Sequence, residues 1–188
     1  MDATEIPTLI TDRLRLRALR GSDFEDYAAL YADPEVMRFI GGETWDRARS
    51  WRHMPFALGH WQLQGAGIWV TEEKATGGFV GMIGFWEPAT WPGFELSGHV
   101  ARRFWGHGHA SEGARAAMAY AFNVLRRERL ISLVNPANHA SIRVVERIGE
   151  RLEGRIDHFG RQMLLYGLDR ATYLREVAPA HLTARRAG

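Results

Sequence analysis

The 188-residue chain has no cysteine, which excludes disulfides, thiolate zinc sites and cysteine nucleophiles. It has a single lysine, Lys74, so nearly all of its positive charge is arginine, a skew that says little about function. No apolar run reaches the roughly 18 residues of a membrane span, and no N-terminal segment has signal-peptide form. The expectation is a cytoplasmic protein with no membrane partner. Net charge is only +2 and the basic residues are scattered, so no basic stripe favours nucleic acid. No internal repeat or low-complexity linker divides the chain. What remains is 46% apolar and 24% charged, the profile of one globular domain with a substantial core. Seven tryptophans are many for this length. They crowd the region from Trp45 to Trp91, and most are expected to pack, with one or two lining a site.

Patterning supplies the elements. Leu9 to Arg20 alternates, with Leu14, Leu16 and Ala18 on one face and Arg13, Arg15 and Arg17 on the other, as in a half-buried strand. Ser22-Asp23-Phe24-Glu25 has the form of a capping box opening a helix to about Ala32. Pro34 suits the first turn of a second, short helix. Thr44 to Leu63 reads mostly helical, with a kink or break at Pro55. Ile68–Glu72, Phe79–Trp86 and Phe94–Val100 read as a three-strand meander, and Ser111–Leu125 as a long helix. Leu130–Val134 is a short buried strand, and Ser141–Ile148 a helix ended by Gly149. Leu152–Phe159 and Arg161–Leu168 form a last hairpin. This order implies one α/β (α+β) domain over residues 1–178 with a mixed sheet, and a frayed tail at 179–188.

The segment carrying chemistry is Arg103-Phe104-Trp105-Gly106-His107-Gly108-His109-Ala110. It joins a strand to a helix start, where backbone N–H groups and the helix dipole favour an anion. Two glycines let the backbone approach closely. It is not a P-loop, because no Lys-Ser or Lys-Thr follows. It is not a dinucleotide fingerprint, because the third glycine position is Ser111 and no βαβ unit surrounds it. His99, His107 and His109 have spacing that suits zinc, yet no acidic residue or cysteine completes a set, so no metal is expected.

These residues resemble the GNAT superfamily of acetyl-CoA-dependent N-acetyltransferases, and within it the ribosomal-protein-alanine N-acetyltransferase branch. The resemblance covers roughly residues 9 to 170. It rests on Arg103-Phe104-Trp105-Gly106-His107-Gly108, with support from Thr11 to Arg17, Asp33-Pro34-Glu35-Val36, Asn138-His139-Ala140-Ser141 and Gly149. It implies a mostly antiparallel sheet of six to seven strands flanked by helices. It also implies acetyl-CoA as cosubstrate, held by Arg103 and the amides of Gly106, His107, Gly108, His109 and Ala110. The pantetheine arm would meet backbone at His99, Val100 and Ala101, with Asn138 on the far side. An acetyl group would pass directly to a primary amine, either a protein N-terminus or a small molecule.

Glu95 matches the family's base position, with a surface carboxylate as its plainer reading. Ser141 can hydrogen-bond the leaving thiolate, with a helix N-cap as its plainer reading. The chain departs from the family pattern twice. Val145 stands where many members carry a tyrosine acid, leaving Ser141, water or Tyr166 for that role, and Glu150 stands where an aromatic usually follows the glycine. Acceptor choice falls to residues 41–65, the 87–93 loop and the last hairpin. Glu43 or Asp46 can attract a cationic amine, although such carboxylates are more commonly just solvated. A homodimer through the hairpin is a family-level expectation. The alternative function is a catalytically silent acyl-CoA-binding module of the same fold.

Overall fold

The computed structural model describes residues 5–178. In chain order the elements are β1 (Leu9–Ile10), β2 (Leu14–Arg17), α1 (Phe24–Ala32), α2 (Pro34–Met37), α3 (Arg47–Gln64), β3 (Ile68–Glu73), β4 (Phe79–Trp86), β5 (Glu95–Val100), α4 (His109–Asn123), β6 (Arg129–Val134), α5 (His139–Ile148), β7 (Arg151–His158) and β8 (Arg161–Asp169). The strands form one sheet in the order β1-β2-β3-β4-β5-β6-β8-β7. Every pairing is antiparallel except β5 with β6, which is parallel.

The sheet has eight strands, not six or seven. The predicted first strand breaks because the chain turns at Thr11, whose N–H bonds the Leu14 carbonyl at 2.9 Å, and Leu9 then folds back to pair with Leu16. Arg17, expected on the polar face, is buried. Its guanidinium meets both Asp23 oxygens at 2.8 and 2.9 Å and Glu72 at 2.8 Å. The predicted Ser22–Glu25 capping box does not form; Glu25 pairs instead with Arg47. Asp23 accepts from the Arg20 N–H at 2.7 Å, and a 3-10 turn, Gly21–Asp23, precedes α1. The helix through Pro55 is continuous. Pro55 and Trp51 one turn earlier are both exposed, so the carbonyl left without a donor is open to water. The predicted frayed tail lies outside the described residues.

Two layers sandwich the sheet. Leu30, Val36, Met37 and Met54 of α1, α2 and α3 pack with Val70 and Met82 on one face. Ala117, Met118, Ala121 and Phe122 of α4 pack with Leu14, Val80, Ile83 and Phe85 on the other. Alternation along β5 therefore divides its side chains: Leu96 and Val100 join the α4 layer, while Glu95, Ser97 and His99 point toward α1–α3.

Asp23→Ala leaves the buried Arg17 with one carboxylate in place of two and the Arg20 N–H without its acceptor. Unfolding free energy should fall by about 3 kcal/mol, read from urea denaturation curves.

Candidate active site

The site exists because β5 and β6 separate almost as soon as they meet. Their only paired residues are Glu95 and Ile131. The Ile131 N–H bonds the Phe94 carbonyl at 3.1 Å, and the Ser132 hydroxyl bonds the Leu96 carbonyl at 2.9 Å. Beyond that point a gap opens. On its other edge β5 pairs with β4, and the Ala101 N–H bonds Val80 at 2.8 Å. In an antiparallel ladder bonded and non-bonded pairs alternate, so His99 and Ala101 spend their main-chain groups on β4. Gly98 and Val100 turn theirs into the gap. The Val100 carbonyl there accepts from the Trp105 indole N–H at 2.7 Å.

At one end of the gap stands the N-terminus of α4. Gly106 and Gly108 both have φ of +80°, a conformation glycine adopts without strain, and Gly108 is the N-cap. The N–H groups of His109, Ala110 and Ser111 begin the helix and have no acceptor within it. This turn is braced from a distant part of the chain. Glu112 accepts from the Thr11 hydroxyl at 2.6 Å, the Arg13 N–H at 2.8 Å and Arg13 Nε at 2.7 Å. Arg13 Nη1 also donates to the His107 carbonyl at 2.9 Å.

The gap belongs to one cavity of about 950 Å³ that runs from the α4 N-terminus to the aromatic side chains at its other end. Glu95 lies in its wall, 7% exposed, and accepts from the Trp91 indole N–H at 2.6 Å. Burial pushes its carboxyl up to about 7, although the bonds from Trp91 and the Leu133 N–H pull the other way. Across from it, Tyr31 OH meets His99 Nδ1 at 3.0 Å, and Tyr27 OH meets His53 Nδ1 at 2.5 Å. Burial pushes both imidazoles down to about 4, so both are neutral at pH 7.

The predicted site residues divide into two groups. Glu95, His99, Val100, Gly106, Gly108, His109, Ala110, Asn138 and Ser141 all border this one cavity. Ala101, Arg103 and His107 do not. The Arg103 guanidinium turns to the Phe79 carbonyl at 3.0 Å and to Asp26 at 3.6 Å.

Three plainer readings are corrected. Glu95 is buried, so it is not a surface carboxylate. Ser141 is not the N-cap of α5; Asn138 is, accepting from the Ser141 N–H at 3.1 Å. Four tryptophans border the cavity, Trp45, Trp86, Trp91 and Trp105, rather than one or two. Trp61 and Trp69 are core residues. Tyr166 lies away from the cavity, donating to Glu146 at 3.1 Å beside Val145. No group of three or more His, Cys, Asp or Glu suited to a metal occurs among the described residues. No helix among them is long and apolar enough to cross a membrane.

Trp91 and His53 fall within the 87–93 and 41–65 segments assigned to the acceptor without being singled out, whereas sequence reading missed Tyr31 and the Arg13–Glu112 brace. Nothing local marks these. Arg13 and Glu112 are 99 positions apart, and only the fold brings them together.

Sheet order and the gap between two parallel strands define an acetyltransferase architecture. The family model described as "Acetyltransferase (GNAT) domain" matches residues 13–151, and the chain belongs to that family. It is 32% identical over 161 residues to the uncharacterized protein YkkB of Bacillus subtilis (strain 168), covering 84% of this chain and 93% of that one. The crystal structure of an acetyltransferase from Agrobacterium tumefaciens str. C58 superposes with a TM-score of 0.79 at 32% identity, covering 87% of this chain and 95% of the other. The spermidine N-acetyltransferase of Vibrio cholerae, solved with CoA and spermine, shares the fold at a TM-score of 0.72 and 19% identity. Coverage there is 87% of this chain and 99% of that one.

Glu150 is the residue least expected in its place. It is 3% exposed and neither carboxylate oxygen has a hydrogen-bond partner. Burial pushes its carboxyl up to about 8, and the negative charges of Glu95 and Glu153 add to that. The Ser132 hydroxyl, which pulls the other way, is already given to Leu96. Both Glu95 and Glu150 sit above the ordinary value of 4.5. Their contribution to stability is therefore complete below about pH 4.5 and is lost as pH rises through about 7 and 8. Glu150→Gln should raise the melting temperature at pH 8.5 and change it far less at pH 5, measured by scanning calorimetry.

Proposed function

We propose that the chain is an acetyl-CoA-dependent N-acetyltransferase that moves the acetyl group directly to a primary amine. The observation that carries this reading is the free edge of β5 beside Glu95. The main-chain groups of Gly98 and the Val100 N–H turn into a gap, an open sheet edge that lacks strand partners. An amide-bearing arm laid along β5 supplies them as an added strand would.

The residues present suit coenzyme A. The α4 amides from Gly106 to Ser111 receive the pyrophosphate at a helix N-terminus. Arg143 and Arg147 of α5 also border the cavity and add positive charge to it. Asn138 caps α5 through its carbonyl oxygen, and its remaining amide N–H groups meet the pantetheine arm. Arg103 contributes indirectly, by fixing the start of the loop to β4 through Phe79.

When bound, acetyl-CoA supplies an acetyl thioester whose acyl carbon bonds to the amine nitrogen as its bond to sulfur breaks. Glu95 takes one proton from the incoming ammonium through water. Its raised value suits this work, because a base near neutral pH combines the correct protonation state with useful basicity. The Val100 N–H and its neighbours on the free edge stabilise charge developing on the carbonyl oxygen. Ser141 borders the cavity from α5 and passes to the departing sulfur the second proton, which nitrogen loses as the amide forms. Val145 is apolar, and the Tyr166 hydroxyl is engaged with Glu146, so neither competes with Ser141.

Glu95→Gln keeps the acceptor atom for the Trp91 bond and removes the base. Turnover should fall by about 10²-fold or more, while CoA affinity by calorimetry stays unchanged. Wild-type kcat/KM should rise with pH through about 7, and that limb should vanish in the variant. Full activity in the variant would place the base elsewhere. CoA binding without turnover of any amine would favour a silent binding module, and no heat with CoA would remove the cofactor assignment.

A further inference from the structure

The acceptor end of the cavity is built almost entirely from rings. Trp45 stacks on Tyr31 with centroids 4.3 Å apart and planes 10° apart, and the Arg49 guanidinium covers it at 4.9 Å. Tyr31 meets His99 edge-on at 5.5 Å. His53 lies 4.7 Å from Trp45 and 5.9 Å from Trp86. On the hairpin side, Trp91 meets His158 edge-on at 4.3 Å and Phe159 at 5.8 Å. Trp91 also bonds Glu95, so one indole joins the candidate base to the aromatic rim.

Two features shape the rim. Phe159 is 75% exposed and holds a φ of +51°, a conformation unfavourable for a bulky side chain. Next to it, the Arg161 guanidinium crosses to the Gly41 carbonyl and ties the hairpin to the segment after α2. The two-residue turn Phe159-Gly160 requires positive φ at both positions, so the hairpin itself sets this backbone and places the exposed ring at the mouth of the cavity.

Charge around this end is sparse. The two imidazoles are neutral, and Glu95 lies inside. Glu35 is the remaining carboxylate on this wall. The other acids close by are occupied: Asp33 pairs with Arg102 at 3.2 Å and caps α2, Asp46 caps α3, and Glu43 sits 4.0 Å from Arg49. A polycation would find few free anions, and Arg161 opposes it. The faces of Trp45 are taken by Tyr31 and Arg49, and Trp86 stacks on His60, so this wall offers ring edges, which suit a flat apolar body, and Trp91 is the indole beside Glu95.

From these observations we infer that the acceptor is a primary arylalkylamine, its ring held among Trp45, Trp86, Trp91 and Phe159 and its nitrogen at Glu95. This rests on the acetyltransfer reading above.

The experiment is a competition of acceptors at saturating acetyl-CoA: 2-phenylethylamine, tryptamine, spermidine and an alanine-initiated tetrapeptide. An arylalkylamine should lead the others in kcat/KM by about tenfold or more. Phe159→Asn removes the ring while suiting the left-handed backbone, so it folds at least as well as the parent. It should raise KM for the preferred arylalkylamine about fivefold with CoA affinity unchanged. Trp45→Ala should act the same way, and Phe159→Asn carries the test if that variant does not fold. Preference for spermidine or the peptide overturns the inference. So does an arylalkylamine KM unmoved by Phe159→Asn, whereas CoA binding with no amine acetylated overturns the transfer reading instead. Failure to bind CoA overturns the functional reading itself, and the two failures are thereby separable.

Discussion

One geometric constraint organises the molecule: β5 and β6 run parallel, meet at Glu95 and Ile131, and then diverge. A sheet gains by continuing its ladder, so the divergence leaves main-chain groups of β5 unmatched within the protein. Ser132 closes the last position with its side chain, giving its hydroxyl to Leu96. Everything functional is arranged about the opening. The α4 N-terminus stands at one end, α5 forms one wall, and the α1–α3 layer with the last hairpin forms the far compartment.

Holding that opening in shape requires ties across long sequence distances. Glu112 and Arg13 fasten the first turn of α4 to the β1–β2 turn. Arg17, Asp23 and Glu72 fasten α1 to the sheet. Arg161 fastens the hairpin to the segment after α2. These contacts stabilise surroundings that are locally unfavourable. Glu95 and Glu150 are carboxyls held in the interior, and Phe159 holds a left-handed backbone. A fold tolerates such features where the rest of the structure over-determines them.

The aromatic compartment illustrates a division of labour. The α4 end offers backbone amides and glycine, which suit a constant ligand group such as a phosphate. The other end offers side chains from α1, α3, the 87–93 loop and the hairpin, which vary freely without disturbing the sheet. That arrangement lets one cosubstrate site serve different acceptors across a family, and the family name alone therefore leaves the acceptor unspecified.

Much of this was written locally in the chain. Period-two and helical patterning, Pro34 and Gly149 placed most elements, and Gly106 and Gly108 marked the turn that opens α4, because these signals act over a few residues. The sequence alone also determined that no thiol chemistry is available. Other features depended on tertiary structure. The expected Ser22 and Glu25 capping pair did not form: Glu25 pairs with Arg47, and Asp23 accepts from the Arg20 N–H while holding the buried Arg17. The cap of α5 fell to Asn138 rather than Ser141, since the helix begins earlier. Trp91 and Glu95 are near neighbours in sequence, yet their bond forms only once the loop before β5 folds over the strand end. Burial decided the protonation of Glu95, His53 and His99, and burial belongs to the packed layers around a group rather than to the residues beside it in the chain.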